Sequence, residues 1–184
     1  MKKDLEALGF LLFFLFLFIF FSSSCTRGAT EERVGYADKS FRCDITGYVN
    51  GKEIEATLTH IHNPSEDGIE ALVYFSSPKG VEGVTVTLSA NGICNARLGD
   101  AVIESIGLKG LIYPLEPIFD VGDTYSVRKT QEGATEVRVC DENCDLKYVF
   151  LPNSSVPSQI IGKNNGAEVD FRLTDFSFDF VLEK

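Results

Sequence analysis

Tryptophan is absent from the 184-residue chain, methionine occurs once and histidine only twice, at His60 and His62. A single Met leaves no flexible thioether surface of the kind that lets calmodulin-like grooves adapt to many partners. Basic side chains are also scarce, 17 Lys and Arg against 27 Asp and Glu, for a net charge of −10. That balance excludes nucleic acid as a partner, because binding it needs clustered cations. An anionic lipid surface would repel the chain too, so any membrane attachment needs a device other than a basic patch. No apolar run reaches the ~20 residues that a spanning helix requires. Catalytic motifs are missing as well. There is no G-x-S-x-G elbow, no phosphate loop and no dinucleotide fingerprint, and no pair among the 27 acids stands out as a glycosidase dyad. The chain reads as a non-enzyme with no cofactor.

What is present begins with an address. Met1-Lys2-Lys3 precedes an unbroken run of Phe, Leu and Ile from Phe10 to Phe21. This is the length of a secretory h-region. Ser22, Ser23 and Ser24 follow, then Cys25. Small residues ending in Cys resemble the lipobox of bacterial lipoproteins, in which the Cys thiol takes diacylglycerol and becomes the first mature residue. Ser22 stands where that family prefers an aliphatic residue, and Asp4 and Glu6 dilute the basic start. An ordinary signal peptide cut near Ser24 is the alternative and makes the product secreted. The expected organisation is a leader over 1–24, a polar, pattern-free tether over 25–40 and one domain over 41–184. The roughly 160 residues after Ser24 suit a single core. A lipidated Cys25 would hold the domain on the outer face of the cytoplasmic membrane, since two acyl chains make a stable anchor.

Five cysteines are an odd number for an exported protein. With Cys25 lipidated, Cys43, Cys94, Cys140 and Cys144 remain as disulfide candidates. Proximity favours Cys43–Cys94 and Cys140–Cys144, with free thiols as the alternative. Alternation puts Cys140 on the face opposite Val137 and Val139, whereas Cys144 shares the face of Leu146, Tyr148 and Phe150, so a cross-strand bridge there needs a bulged turn. Asp141, Asn143 and Asp145 imitate the opening of a calcium loop, but Leu146 and Pro152 stand where it needs Gly and Glu. Zinc would need two more ligands, and the histidines are distant. No metal is expected.

From Phe41 onward the dominant period is two. Val84, Val86, Leu88 and Ala90 alternate with polar residues, as do Ala167, Val169, Phe171 and Leu173. Phe176, Phe178 and Phe180 continue on the opposite parity, which predicts a bulge or break near Thr174-Asp175. Asn50-Gly51 and Asn91-Gly92 are type I′ hairpin signals. Strands are predicted at 41–49, 52–62, 69–76, 84–90, 93–98, 124–130, 134–140, 145–151, 158–163 and 167–180. Short loops make the sheet antiparallel and up-and-down. Between Gly99 and Gly122, the stretches 101–111 and 114–121 carry helix-like apolar spacing cut short by Gly and Pro. His60 and His62 share the face of Ile54, Ala56 and Leu58, and read as exposed strand-end residues at the mouth of the sheet.

Several stretches together resemble the LolA/LolB-like lipoprotein-carrier superfamily. Phe75 to Gly80 followed by Gly83 to Val86 is similar to that family's strand, Pro-containing turn and strand. The helical insert 101–121 then follows, and Asp145–Phe150, Val156–Ile161 and Ala167–Phe178 resemble its closing strands. The resemblance covers roughly 41–180. It implies a mainly β fold, a single curved antiparallel sheet forming an incomplete barrel, with one or two short helices on the concave face. It also implies a hollow that accepts a lipid, an acyl chain or a lipoprotein partner, here in a small membrane lipoprotein of a Gram-positive bacterium. Phe176, Phe178, Leu111 and Phe119 are the candidate ligand-lining residues. A tether at Cys25 departs from a soluble courier and suits an acceptor or sensor. The competing reading is a protein-interaction module of an envelope or spore assembly with no small-molecule ligand. If Cys25 is the anchor, Cys25→Ala moves the protein from the membrane fraction to the medium. Retention of the variant in the membrane would instead make the h-region an uncleaved anchor.

Overall fold

The computed structural model describes residues 35–104, 106–121 and 125–180. The leader, Cys25 and the tether up to residue 34 lie outside the described residues. The first five strands are β1 (Phe41–Val49), β2 (Lys52–His60), β3 (Ile69–Ser77), β4 (Thr85–Ser89) and β5 (Cys94–Leu98). A sixth, β6 (Ala101–Glu104), is followed by a helical insert over 106–118, whose middle turn Lys109–Ile112 is α-helical (α1) and whose flanks are 3₁₀. Then come β7 (Tyr125–Lys129), β8 (Thr135–Cys140), β9 (Cys144–Phe150), β10 (Gln159–Asn164) and β11 (Ala167–Ser177). All belong to one sheet in the order β6-β5-β4-β3-β2-β1-β11-β10-β9-β8-β7. Every pairing is antiparallel. Direction reverses at each of the ten steps, so β6 and β7 run the same way. Closing the barrel would need one parallel pair in an otherwise antiparallel ladder, and the sheet stays open.

Local chemistry accounts for the turns. Asn50 and Gly51 take φ of 50° and 73°, the left-handed pair that a type I′ hairpin requires. Asn91-Gly92 turns differently. Only Gly92 is left-handed, at 80°, and its N–H donates to the Ser89 carbonyl, giving a type I turn followed by a glycine bulge. The parity change in β11 is real. Asp175 sits at φ 52°, and the β1–β11 register slips between Asp44↔Thr174 and Arg42↔Ser177. Gly47 and Gly162, at φ 156° and 144°, sit where a Cβ would overlap the carbonyls of Asp170 and Asp145. Each lets its strand press against a neighbour at a point no side chain could occupy.

The insert departs from expectation at its start. Ala101–Glu104 is a strand, because the Gly99-Asp100 turn (Gly99 φ 59°) returns the chain along β5 and the β-branched Val102 and Ile103 extend. Among the described residues of this stretch, 106–118 is helical. Pro114 and Pro117 each lack an N–H, so a longer α-helix cannot form. Ile112, Leu115 and Ile118 recur every third residue, the spacing that stacks along one side of a 3₁₀ turn, and all three are buried.

These side chains join the inner faces of the strands in one core. Phe41, Cys43 and Ile45 of β1, Ala56 and Leu58 of β2, Tyr148 and Phe150 of β9, and Val169 and Phe171 of β11 all belong to it. The insert touches β5 at one end and takes a hydrogen bond from β9 at the other, seven strand steps away. Seven spacings of ~4.8 Å make roughly 34 Å along the sheet, more than thirteen helical residues span at ~1.5–2.0 Å each. The sheet therefore curves around the insert.

Three side chains donate to carbonyls of the insert. The Tyr36 hydroxyl reaches the Ile118 oxygen at 2.9 Å, the Tyr148 hydroxyl reaches the Pro117 oxygen at 2.9 Å, and Asn164 Nδ2 reaches the Tyr113 oxygen at 3.0 Å. Burial pushes both tyrosine hydroxyls well above their ordinary titration range, so they remain donors. Tyr148→Phe keeps the ring and orphans the Pro117 carbonyl. It should cost about 1–3 kcal/mol, read as a fall in Tm of roughly 2–4 °C per kcal/mol. An unchanged melting temperature would show that this bond does not hold the insert.

Candidate functional site

Where the insert meets the sheet, the inner face is divided into three regions. Where β1 begins and β11 ends, aromatic rings close the core. Tyr36 packs on Phe41 (centroids 5.6 Å), Phe150 (6.5 Å) and Phe176 (5.9 Å). His60 lies 5.4 Å from the ring of Phe119 and nearly parallel to it, with Phe41 at 5.3 Å. His60 shares the face of Ile54, Ala56 and Leu58 as alternation requires, but it is buried, not exposed at a mouth. The insert's Phe119 covers it, and β2 ends there, leaving His62 beyond the strand. His60 Nδ1 lies 3.2 Å from the Glu70 carbonyl oxygen, and Nε2 is buried without a well-formed hydrogen bond among the described residues.

Between the β1–β2 hairpin, the end of β3 and the insert runs an apolar groove of about 340 Å³. Val49, Ile54, Phe75, Val81, Leu111 and Leu115 form its walls, and Asn50 and Lys52 stand among its lining. Among the described residues no carboxylate lines it. A second cleft of about 450 Å³, between the end of the insert and the β8–β9 turn, is acidic, with Glu116, Asp120, Asp141 and Glu142 among its walls. Burial, then the Asp120 charge, raises the carboxyls of Glu116 and of Glu70 above their usual range. The calcium-like residues beside it are engaged otherwise. Asp141 Oδ1 accepts from the Asn143 N–H, and Asp145 holds Arg138 through two bonds of 2.9 and 2.8 Å. Among the described residues no group of three His, Cys, Asp or Glu side chains is arranged for a metal.

The four sequence-predicted lining residues do not form one site. Leu111 lines the apolar groove. Phe119, directly after the insert, is buried in the core over His60, and Phe176 packs in the aromatic cluster. Phe178 is 41% exposed beyond β11, with the Lys39 ammonium 5.8 Å above its ring. Val49, Ile54 and Phe75 are legible as inner-face residues by alternation. Which of them face a groove depends on where the insert stops covering the sheet, and alternation carries no signal of that.

The four described cysteines are free thiols. Cys43 on β1 and Cys94 on β5 both face inward, four strand steps apart. At ~4.8 Å per step that separation far exceeds the ~7 Å limit between bridged Cα atoms. Burial pushes the Cys43 thiol far up and raises that of Cys94. Cys140 pairs with Asp145 and is exposed on the outer face, whereas Cys144 belongs to the inner face, so the parity mismatch of this hairpin is realised. Burial, then the Asp141 and Asp145 charges, raises the Cys144 thiol to about 11.

No protein-family model matches the chain, and no curated protein matches it. Solved structures do. An uncharacterised conserved protein from Thermus thermophilus superposes with a TM-score of 0.52 at 13% identity, over 81% of this chain and 85% of that one. A LolA superfamily protein from Nitrosomonas europaea (TM-score 0.45, 9% identity, 78% and 88% covered) is similar more loosely. So is a domain described as outer membrane lipoprotein-sorting from Vibrio parahaemolyticus (0.39, 9%, 79% and 88%). At 13% identity the likeness to the Thermus protein is one of fold alone.

Burial lowers the His60 pKa, an effect the Glu70 carbonyl partly offsets. The folded chain therefore binds fewer protons at His60 than the unfolded chain does. Its stability contribution is complete above the unfolded value of ~6.5 and is lost as pH falls below it toward the folded value. Between pH 7.5 and 5.5, urea unfolding should show the wild type losing more stability than His60→Phe, which keeps the ring stack and cannot titrate. Equal losses would remove His60 as the source.

Proposed function

We propose that this chain is an exported lipoprotein, anchored through diacylated Cys25 on the outer face of the cytoplasmic membrane, whose domain binds an apolar ligand without catalysis. In this reading residues 1–24 are the leader, the tether starts at Cys25 and ends before Tyr36, whose ring is buried in the core ahead of the expected boundary at 41, and the rest is a domain of the LolA/LolB-like kind. The ligand is a lipid or acyl chain, or the acylated end of a partner lipoprotein. The observation that carries it is the apolar groove between β1–β3 and the insert. Its volume lies near the low end of the ~300–1,000 Å³ typical of small-ligand pockets, and its walls are hydrophobic with polar groups few in number. The curved open sheet with a helical insert on its inner face is also what the resemblance implies.

A tethered domain suits a stationary acceptor or sensor, since a courier must leave the membrane. The interaction-module reading has an observation of its own. Val102 and Ile103 on the edge strand β6 are 63% and 60% exposed, with Leu98 beside them at 56%. An apolar edge with unpaired backbone groups is a template for another chain.

Native mass spectrometry of the chain from Cys25 onward, purified gently from an exporting host, separates the two. A stoichiometric lipid adduct removed by solvent extraction is the expected result. A clean mass, unchanged after incubation with lipids, would favour the interaction module.

A further inference from the structure

The geometry points to a single-chain fatty acid as the occupant of the apolar groove, its tail against Val49, Ile54, Phe75, Val81 and Leu111 and its carboxylate held by Lys52 and Asn50. This deepens the apolar-ligand reading and rests on it. In β2, Lys52 has the parity of Ile54, Ala56 and Leu58, so it stands on the inner face at the rim. Among the described residues it has no ion-pair partner, in a chain where acids outnumber bases 27 to 17. Asn50 is fixed by two bonds across the sheet. Its N–H donates to the Glu168 carbonyl at 2.8 Å, and its Oδ1 accepts from the Glu168 N–H at 2.9 Å. Nδ2 is the donor on this side chain, and no bond from it is made among the described residues. The Glu168 carboxylate is paired with Lys163 at 3.2 Å.

The polar side chains among the groove's lining residues are therefore one lysine and one asparagine, and among the described residues no acid lines it to repel an anion. One ammonium and one amide suit a singly charged carboxylate. A phosphate monoester is matched by Arg forks or several donors, which the groove does not supply. About 340 Å³, near the low end of small-ligand pockets, matches a single acyl chain better than two. The ligand class that satisfies charge, donor number and volume together is a free fatty acid.

The test uses the full-length chain in neutral phosphatidylcholine vesicles and two photoreactive probes. One is a diazirine-bearing palmitic acid and the other a monoacylglycerol with the same tail. Labelled peptides are mapped by mass spectrometry, with attention to Phe75–Val81 and Gly110–Leu115. The acid should label these segments about tenfold more than the uncharged probe, the scale of one charge-assisted hydrogen bond. Lys52→Gln should bring the acid down to the level of the uncharged probe, and Lys52→Arg should restore most of the difference. Equal labelling of the groove by both probes, unmoved by Lys52→Gln, would overturn the carboxylate assignment and leave the apolar-ligand reading standing. Absence of label from these segments with either probe would overturn both.

Discussion

The structure depends on how an open sheet covers its own apolar face. A curved sheet that does not close must fill its inner side or leave a large apolar surface in water. Here thirteen residues do most of the filling. Their prolines forbid a regular helix, and short 3₁₀ turns leave carbonyls without intrahelical donors. Tyr36, Tyr148 and Asn164 donate to three carbonyls of the insert from the entry segment, β9 and β10. Apolar burial draws the insert inward, and directional bonds to three of its carbonyls set its position. The Tyr36 contact also ties the residues just before β1 to the end of the insert.

Incomplete coverage is what creates the candidate site. Ile112, Leu115, Ile118 and Phe119 seal the centre and the His60 end. The insert leaves the β1–β2 hairpin and the end of β3 partly uncovered, and the groove lies there. The odd number of strands has a related consequence. With β6 and β7 running in the same direction, the ladder ends in two edges. Their protection differs. β7 carries Arg128 and Lys129, charges of the kind that discourage edge pairing, whereas the β6 edge presents Val102 and Ile103. A groove and an apolar edge thus arise from one architectural fact, and they support the two functional readings respectively.

The fold is largely legible in the sequence because strand alternation is a local property. The predicted strand Phe41–Val49 matches β1 residue for residue, and the bulge at Asp175 follows from the parity change between Leu173 and Phe176. Asn165-Gly166 makes a further type I′ turn, at φ 47° and 81°, whose dipeptide signal stands in the sequence as plainly as that of Asn50-Gly51. Ala101–Glu104 reads wrongly as helix because Val102, Ile103 and Ile106 fit helical spacing as well as a short strand. Pairing with β5 decides between them. Alternation places His60 on the correct face but with the wrong exposure, since its cover includes Phe119, far along the chain.

The amino-acid sequence by itself determined the β architecture, the antiparallel order, most turns and the chemistry available at each face, because periodicity and turn propensity act over a few residues. Tertiary structure alone decided the rest. It set Cys43 and Cys94 four strands apart, distributed Phe119, Phe176 and Leu111 between a sealed core and an open groove, and brought Lys52 and Asn50 to that groove's rim. These outcomes depend on how far the sheet curls and where the insert stops, and both are settled by contacts between residues distant in the chain.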